Sequence, residues 1–213
     1  MSGSCCNSEV KFDGASPAFK RALWAVIAIN GAMFLVEMTA GALAGSQALQ
    51  ADALDFLGDT ATYGLSLYVI GMSVVARTNA ALLKGASLAA MGLWVLGATC
   101  WQIFVQETPR AEVMGVVGFL ALAANLVSVL ILLRFKDGDA NVRSVWLCSR
   151  NDAIGNVAVM LAAAAVWASG SAWPDLLVAA IMAGLFLWSA LQIVRQSLQE
   201  RRHALAHATA LAE

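Results

Sequence analysis

Six long apolar segments, separated by short polar connections, make up most of this 213-residue chain. They run at about 20–44, 46–75, 80–106, 111–134, 141–169 and 173–198. Each is about 20 residues or longer, which is the length that an α-helix needs to cross a hydrocarbon core of about 30 Å. The strands of a membrane barrel would instead alternate polar and apolar residues at every second position. The pattern therefore predicts an all-α membrane protein with six transmembrane helices.

The composition supports a membrane protein and excludes some other classes. Hydrophobic residues make up 60% of the chain and charged residues 13%, whereas soluble domains carry about 25% charged residues. The formal net charge is −1 and no Lys/Arg cluster stands out, so we expect no nucleic-acid partner. The four cysteines do not form a disulfide framework. The first apolar segment is longer than the 7–15-residue core of a signal peptide, and we expect it to be a helix of the mature protein.

The distribution of basic residues predicts the orientation. If the N-terminus is inside, most of the 13 Lys and Arg residues lie on the inner side, and only Arg110 lies in an outer connection. We therefore expect a multi-pass protein of the cell (inner) membrane with both termini cytoplasmic. Residues 1–19 are predicted to be a flexible leader, 20–198 the transmembrane domain and 199–213 a short cytoplasmic tail.

Three aspartates interrupt the second apolar segment at positions 52, 55 and 59. On a helix, the spacing i, i+3, i+7 places Asp52, Asp55 and Asp59 within about 60° of one another. A charge near the bilayer centre costs about 2.5–3.5 kcal/mol on insertion scales. Three like charges repel unless a cation or protons neutralise them, which indicates ion handling. The structural alternative is that the carboxylates are only hydrogen-bonded within the bundle.

A second pair of potential ligands occupies the fifth segment. Cys148 precedes Asp152 by four residues, so both side chains lie on one helix face, as Asp55 and Asp59 do. The two pairs can meet at one depth in the membrane. Four such ligands around a point suit a tetrahedral cation such as Zn²⁺. The sequence therefore predicts a metal site formed by Asp55, Asp59, Cys148 and Asp152. The alternative for Cys148 is that it only packs beside a site formed by aspartates and water.

At these residues the chain resembles the cation diffusion facilitator family of divalent-metal/proton antiporters. The resemblance covers about residues 20–200. The matching phrases are, in order, Glu37, Gly45-Ser46-Gln47-Ala48-Leu49, Ala51-Asp52-Ala53-Leu54, Asp59, Asn125, Asp152-Ala153-Ile154-Gly155-Asn156-Val157 and Trp173-Pro174-Asp175. It implies the family's six-helix order and places the family's transport site on the Asp55/Asp59 and Cys148/Asp152 pairs.

The chain departs from the family pattern in two respects. Cys148 stands where the family usually has His or Asp, which puts the usual metal preference in question. Because no segment after residue 198 resembles the family's cytoplasmic metal-binding C-terminal domain, commonly a dimerisation module, we expect a short member of the family that lacks it. A homodimer would then be held together by the membrane helices.

Several residues outside the predicted ligand set have two interpretations each. Asp52 is a candidate step on the exit path, or a hydrogen-bonding group near the helix end. Glu37 is a candidate for a supporting or proton-linked role, and Asn125 for a hydrogen bond between helices. Cys5 and Cys6 could capture metal at the cytoplasmic entrance or belong to an unliganded leader.

The function predicted from these features is export of a divalent cation, Zn²⁺ or Cd²⁺, in exchange for protons by alternating access. The metal is cargo, and we expect no resident cofactor and no enzymatic activity. The expected partners are the metal ion, the lipid bilayer and a second copy of the chain. The alternatives are a membrane-embedded metal enzyme, which needs an open coordination position for water, and a metal-sensing membrane protein.

Overall fold

A computed structural model describes residues 16–68, 74–105, 107–135 and 140–210, without the side chains at position 66 and at 74–78, 140–148 and 200–210. This part of the chain forms six α-helices and one 3₁₀ turn. They are α1 (Pro17–Ala44), α2 (Gln47–Tyr68), α3 (Val74–Val105), α4 (Ala111–Leu132), the 3₁₀ turn Leu133–Phe135, α5 (Ala140–Ser169) and α6 (Trp173–Ala210). The all-helical prediction is thus confirmed.

Local sequence signals explain both ends of α1. The Ser16 hydroxyl accepts a hydrogen bond from the Phe19 amide at 3.2 Å, and Pro17 occupies the first helical position. At the other end, Gly45 has a φ of 72°, a left-handed conformation that glycine adopts without a Cβ clash. This tight turn allows α2 to begin at Gln47, as the sequence predicted within one residue.

Two helix boundaries differ from the prediction. The connection expected between the second and third segments, at 77–79, lies inside α3, which begins at Val74, and residues 69–73 lie outside the described residues. Likewise, α6 continues to Ala210 instead of ending near 198. Both differences have one cause. The prediction ended a helix where the sequence became polar, at 77–79 and after 198. Neither polar stretch contains Gly or Pro, the residues that most disfavour a helix interior. The connection expected at 136–139 also lies outside the described residues.

Five of the helices in the described chain are long and apolar enough to cross a membrane, and α2 is the exception. It packs against α1, α3, α5 and α6, so other helices surround much of its polar sequence. The outer faces of the other helices expose large apolar side chains, such as Phe104 at 84% and Trp167 at 76%. Such surfaces are compatible with lipid, whereas α2 depends on protein neighbours for its aspartates.

Helix pairs build the bundle around α2. The most extensive packing joins α3 with α6, α1 with α2 and α4 with α5. Gly92 shows how closely α3 approaches α6, because a Cβ at this position would lie 2.9 Å from Leu187 Cγ. One apolar cluster, which includes Leu49, Met114 and Phe186, joins the helices around the first half of α2.

A second apolar cluster lies towards the opposite end of α2. Its buried members are contributed by α1, α2 and α4: Phe19, Leu23, Val26, Tyr63 and Leu132. The aspartates of α2, at positions 52, 55 and 59, lie between the two clusters along the helix.

The α1–α2, α3–α4 and α5–α6 connections meet at one end of the bundle, which we call the connection end. The Arg110 amide donates to the Ala44 carbonyl at 3.0 Å, and the Arg110 side chain donates to the Leu43 carbonyl. The Thr108 hydroxyl donates to the Gly170 carbonyl at 3.3 Å. These bonds tie the three connections together and satisfy carbonyls at the end of α1 that lack a partner within the helix.

Asp175 of α6 caps the first turn of α2 from outside that helix. Its carboxylate accepts hydrogen bonds from the Ser46 hydroxyl at 2.6 Å and from the Gln47 and Ala48 amides at 2.8 and 3.1 Å. Ser46 in turn accepts from the Leu49 amide at 3.1 Å. The amides that every α-helix leaves unpaired at its start are thus satisfied. This contact fixes the position of α2 relative to α6.

Candidate metal site

Three of the four predicted ligands lie around one crevice. Asp55 and Asp59 project from α2 and Asp152 from α5, and Phe56 and Asn125 complete the lining. The crevice is too narrow to hold a water molecule. The Asp152 carboxyl lies close enough to those of Asp55 and Asp59 to interact with both. The structure therefore brings together the two helices on which the sequence placed the site.

The three aspartates do not by themselves form a coordination shell. Among the described side chains, no set of three or more His, Cys, Asp or Glu groups has the arrangement of a metal centre. Cys148, the fourth predicted ligand, belongs to α5 by its backbone, but its side chain lies outside the described part. Cys5 and Cys6 also lie outside the described residues. The ligand set therefore remains a prediction, with its aspartates gathered around one crevice.

Two further residues act on the aspartates. The Tyr63 hydroxyl, one turn after Asp59 on α2, donates a hydrogen bond to Asp59 Oδ2. Lys84 of α3 lies within electrostatic range of Asp55 and Asp59. The sequence interpretation missed both roles. The i, i+4 spacing from Asp59 to Tyr63 and the presence of Lys84 within an apolar span (Asn79–Val105) were the available signals.

Asp52 belongs to a second polar cluster, next to the crevice and closer to the connection end. Asn125 Nδ2 donates to Asn156 Oδ1 at 2.8 Å, and Asn156 Nδ2 donates to Asp52 Oδ2 at 2.6 Å. All three residues are buried. Asn125 therefore makes the expected hydrogen bond to another helix, and its partner lies on α5. Asn156, which was quoted only as part of the resemblance, links Asn125 to Asp52.

Glu37 of α1 completes this second cluster. Its side chain is fully buried and lies within electrostatic range of Asp52. Together with the crevice, it brings five carboxyl groups into a small region of the bundle. Such a concentration of negative charge attracts cations and requires protons or bound cations for stability.

Comparison with known proteins assigns the chain to a family. The cation efflux transmembrane domain matches residues 23–200. The chain belongs to the cation efflux family. Family membership and the apolar helices together make it a multi-pass integral membrane protein, and the resemblance found in the sequence is confirmed.

Named relatives are about a quarter identical to the chain over the aligned residues. It is 26% identical over 187 residues to the metal cation efflux system protein CzcD of Cupriavidus metallidurans, covering 79% of the chain and 57% of the relative. It is 26% identical over 198 residues to the zinc transporter ZitB of Escherichia coli, with 85% and 62% covered. The cadmium, cobalt and zinc/H(+)-K(+) antiporter of Bacillus subtilis is 25% identical over 188 residues, with 81% and 60% covered. The match thus spans less than two thirds of these relatives.

Proposed function

We propose that the chain exports a divalent cation of the Zn²⁺ or Cd²⁺ class from the cytoplasm in exchange for protons. The single observation that carries the proposal is the crevice at which Asp55 and Asp59 of α2 meet Asp152 of α5. Carboxylates inside an apolar bundle are costly and usually mark an ion path. Membership of the cation efflux family supports transport, and relatives named for zinc and cadmium support this class of cation.

The proposed topology has six spans with both termini cytoplasmic. The 22 residues of α2 give a length of about 33 Å at 1.5 Å per residue, enough to cross the hydrocarbon core. Its neighbours on several sides account for its low hydropathy. An even number of spans places both termini on one side, and the excess of Lys and Arg makes that side the cytoplasm.

The proposed cargo ligands are Asp55, Asp59, Cys148 and Asp152. Thiolate and carboxylate groups must lose protons to bind a metal, so metal binding and protonation compete. In an alternating-access cycle, the metal enters from the cytoplasm, binds the deprotonated ligands and leaves on the outer side when protons replace it. Tyr63 holds Asp59 in place by a hydrogen bond.

The other two functional classes have less support. An enzyme would need a base beside the metal and an open coordination position for water. The described lining adds only Phe56 and Asn125 to the aspartates, and neither is a base. A sensor would bind metal without moving it. The homodimer through the membrane helices stays a prediction.

Two substitutions test the proposal directly. Asp59→Asn and Asp152→Asn each remove a charged ligand and nearly preserve its shape, so we expect both proteins to insert while Zn²⁺ uptake falls to the level of protein-free vesicles. Uptake is measured in proteoliposomes with and without a pH gradient. Glu112→Gln, at an exposed carboxylate in the first turn of α4, is the matched control and should transport normally.

The same assay separates the three functional classes. Wild-type flux in either aspartate variant would remove that residue from the site. Saturable Zn²⁺ binding in detergent without accumulation in vesicles would favour a sensor. Accumulation that ignores the pH gradient would contradict exchange with protons.

A further inference from the structure

Three buried side-chain oxygens near the crevice have no hydrogen-bond partner among the described residues. They are Asn30 Oδ1 of α1, Ser128 Oγ of α4 and Ser149 Oγ of α5, and we call these three groups the oxygen layer. Each residue is at most 1% exposed. A buried polar atom without a partner destabilises a fold, and native structures contain few of them. Three such atoms on three helices around one site therefore indicate a function.

The helix register places the two serines next to the crevice, on the side away from the connection end. Asn125 of α4 and Asp152 of α5 both line the crevice. Because α4 begins at the connection end and α5 ends there, Ser128 and Ser149 each lie three residues, or about 4.5 Å, farther from that end. A separation of three residues also keeps each serine on the helix face of its crevice neighbour. The two hydroxyls thus extend the polar lining of the crevice.

Asn30 lies at a similar depth on α1. A Cβ at the adjacent Gly31 would lie 3.9 Å from Thr60 Cγ2, so this part of α1 is level with Asp59 and Thr60. Asn30 also follows Val26 by four residues and shares its helix face. Since Val26 belongs to the second apolar cluster, Asn30 lies between that cluster and the crevice.

The same spacing recurs on the other two helices of the second apolar cluster. Tyr63 follows Asp59 by four residues on α2, and Leu132 follows Ser128 by four residues on α4. On each of these helices, an apolar-cluster residue therefore has an oxygen-bearing residue one turn closer to the crevice. Under the proposed topology, the apolar cluster lies on the cytoplasmic side of the oxygen layer.

Amide and hydroxyl oxygens suit a cation that is passing through. They can replace some of the hydration oxygens of a divalent ion, and because they are neutral they hold it less strongly than carboxylates do. Passage requires binding that is favourable enough for entry and weak enough for departure. The carboxyl of Asp59, which lines the crevice, then offers the ion its next ligand.

We propose that the oxygen layer is a transient site at which a divalent cation from the cytoplasm exchanges part of its hydration shell before it reaches Asp55, Asp59 and Asp152. This inference rests on the proposed export of metal. It gives a role in loading to residues outside the proposed ligand set. The layer changes the rate of loading and leaves the equilibrium affinity of the crevice unchanged, because that affinity depends only on the free and bound states.

The test uses the full chain with Ser128→Ala and Ser149→Ala, alone and combined. Each substitution removes one oxygen and adds no volume. We expect initial uptake of subsaturating Zn²⁺ into proteoliposomes to fall severalfold in the combined variant, while equilibrium Zn²⁺ binding in detergent stays as in the wild type. The thermal midpoint should stay the same or rise, because an unpartnered polar atom has been removed from the interior.

Thr99→Val is the matched control. Thr99 Oγ1 of α3 is also buried and without a partner among the described residues, but it lies on a helix outside the oxygen layer. The substitution removes a hydroxyl and keeps the branched shape, so initial uptake should equal that of the wild type.

The outcomes separate this inference from the proposed function. Wild-type initial uptake in the combined variant, or in both single variants should the combined one fail to insert, would overturn the transient site. A lowered midpoint would show that the hydroxyls hold the fold through bound water, and weaker equilibrium binding would make them ligands at the crevice. Either result would also overturn a role in loading. A wild-type protein that takes up no Zn²⁺ would instead overturn the export on which the inference rests.

Discussion

A sulfur ligand would give this site a metal preference unlike that of sites made only of carboxylate or imidazole. Thiolates favour soft and borderline cations, so Cys148 with three aspartates should favour Cd²⁺ and Zn²⁺ over Mn²⁺, Mg²⁺ and Fe²⁺. We expect Cys148→Ser to weaken transport of Cd²⁺ most. Cys148→His should keep Zn²⁺ transport and lower the Cd²⁺-to-Zn²⁺ preference. Competition between the two cations in a flux assay measures the preference.

Cys100 provides the matched control for this series. It is a free, exposed cysteine on α3, so Cys100→Ser also removes one thiol and should leave the Cd²⁺-to-Zn²⁺ ratio as in the wild type. If Cys148→Ser also leaves the ratio unchanged, the sulfur does not touch the ion and the aspartates hold it with water.

Residue spacing predicted which aspartates share a helix face, but it could not identify their partners on other helices. Asp55 and Asp59 were recognised because i, i+4 geometry is local. Lys84 was counted only as an orientation signal, because its proximity to the aspartates depends on how α3 packs beside α2. For the same reason, the sequence could not predict that Asp52 accepts a hydrogen bond from Asn156 and does not line the crevice. Contacts between helices require knowledge of rotation and depth, which short sequence spacings do not contain.

At the scale of helices, Asp175 is the side chain that positions the start of α2. It accepts three hydrogen bonds from residues 46–48, and bonds to a charged group contribute about 1.5–3 kcal/mol each. Asp175→Ala would leave these buried donors without an acceptor. We expect a lower thermal midpoint in detergent, by at least about 4 °C if 2 kcal/mol is lost. Asp175→Asn keeps one oxygen acceptor and should fall between Asp175→Ala and the wild type.

Glu112→Gln serves as the control for Asp175 as well. Both acids lie in the first turn of a helix, but Glu112 is exposed, so its substitution should leave the midpoint unchanged. A wild-type midpoint for Asp175→Ala would show that water or rearranged side chains satisfy the start of α2 without the cap.

The order of the helices could be predicted because each apolar run is long. The ends of some helices could not be predicted. Glycine identified the end of α1, since Gly45 supplies the left-handed residue that closes the helix. The connection expected at 77–79 and the end of α6 lack such a residue. There, a polar stretch marks the edge of the apolar span while the helix itself continues, because Arg, Gln, Glu and Ala all favour helical structure.

On the scale of the whole molecule, α2 differs from its neighbours in what surrounds it. The other helices turn large apolar side chains outward, while α2 places its aspartates among α1, α3, α5 and α6. Under the proposed six-span topology, hydropathy alone therefore undervalues α2 as a membrane span. A polar helix can occupy the bundle only because other helices shield it from lipid. In the proposed alternating-access cycle, opposite movements of the helix pairs would expose the proposed ligands to either side of the membrane.

The proposed exchange of metal for protons through carboxylate and thiolate ligands predicts a definite dependence of the flux on pH. The ligands bind metal only after losing their protons, so lowering the pH on the cytoplasmic side leaves fewer molecules able to load metal. We therefore expect Zn²⁺ export to fall as cytoplasmic pH falls, at a fixed pH difference across the membrane. The fall should approach about tenfold per pH unit for each proton displaced, because one unit of pH changes proton activity tenfold.

Oriented proteoliposomes assayed between mildly acidic and mildly alkaline pH measure this dependence, with protein-free vesicles as the control. A flat profile over that range would mean that protons do not compete for the ligands, and metal release would then need a cause other than protonation of Asp55, Asp59, Cys148 or Asp152.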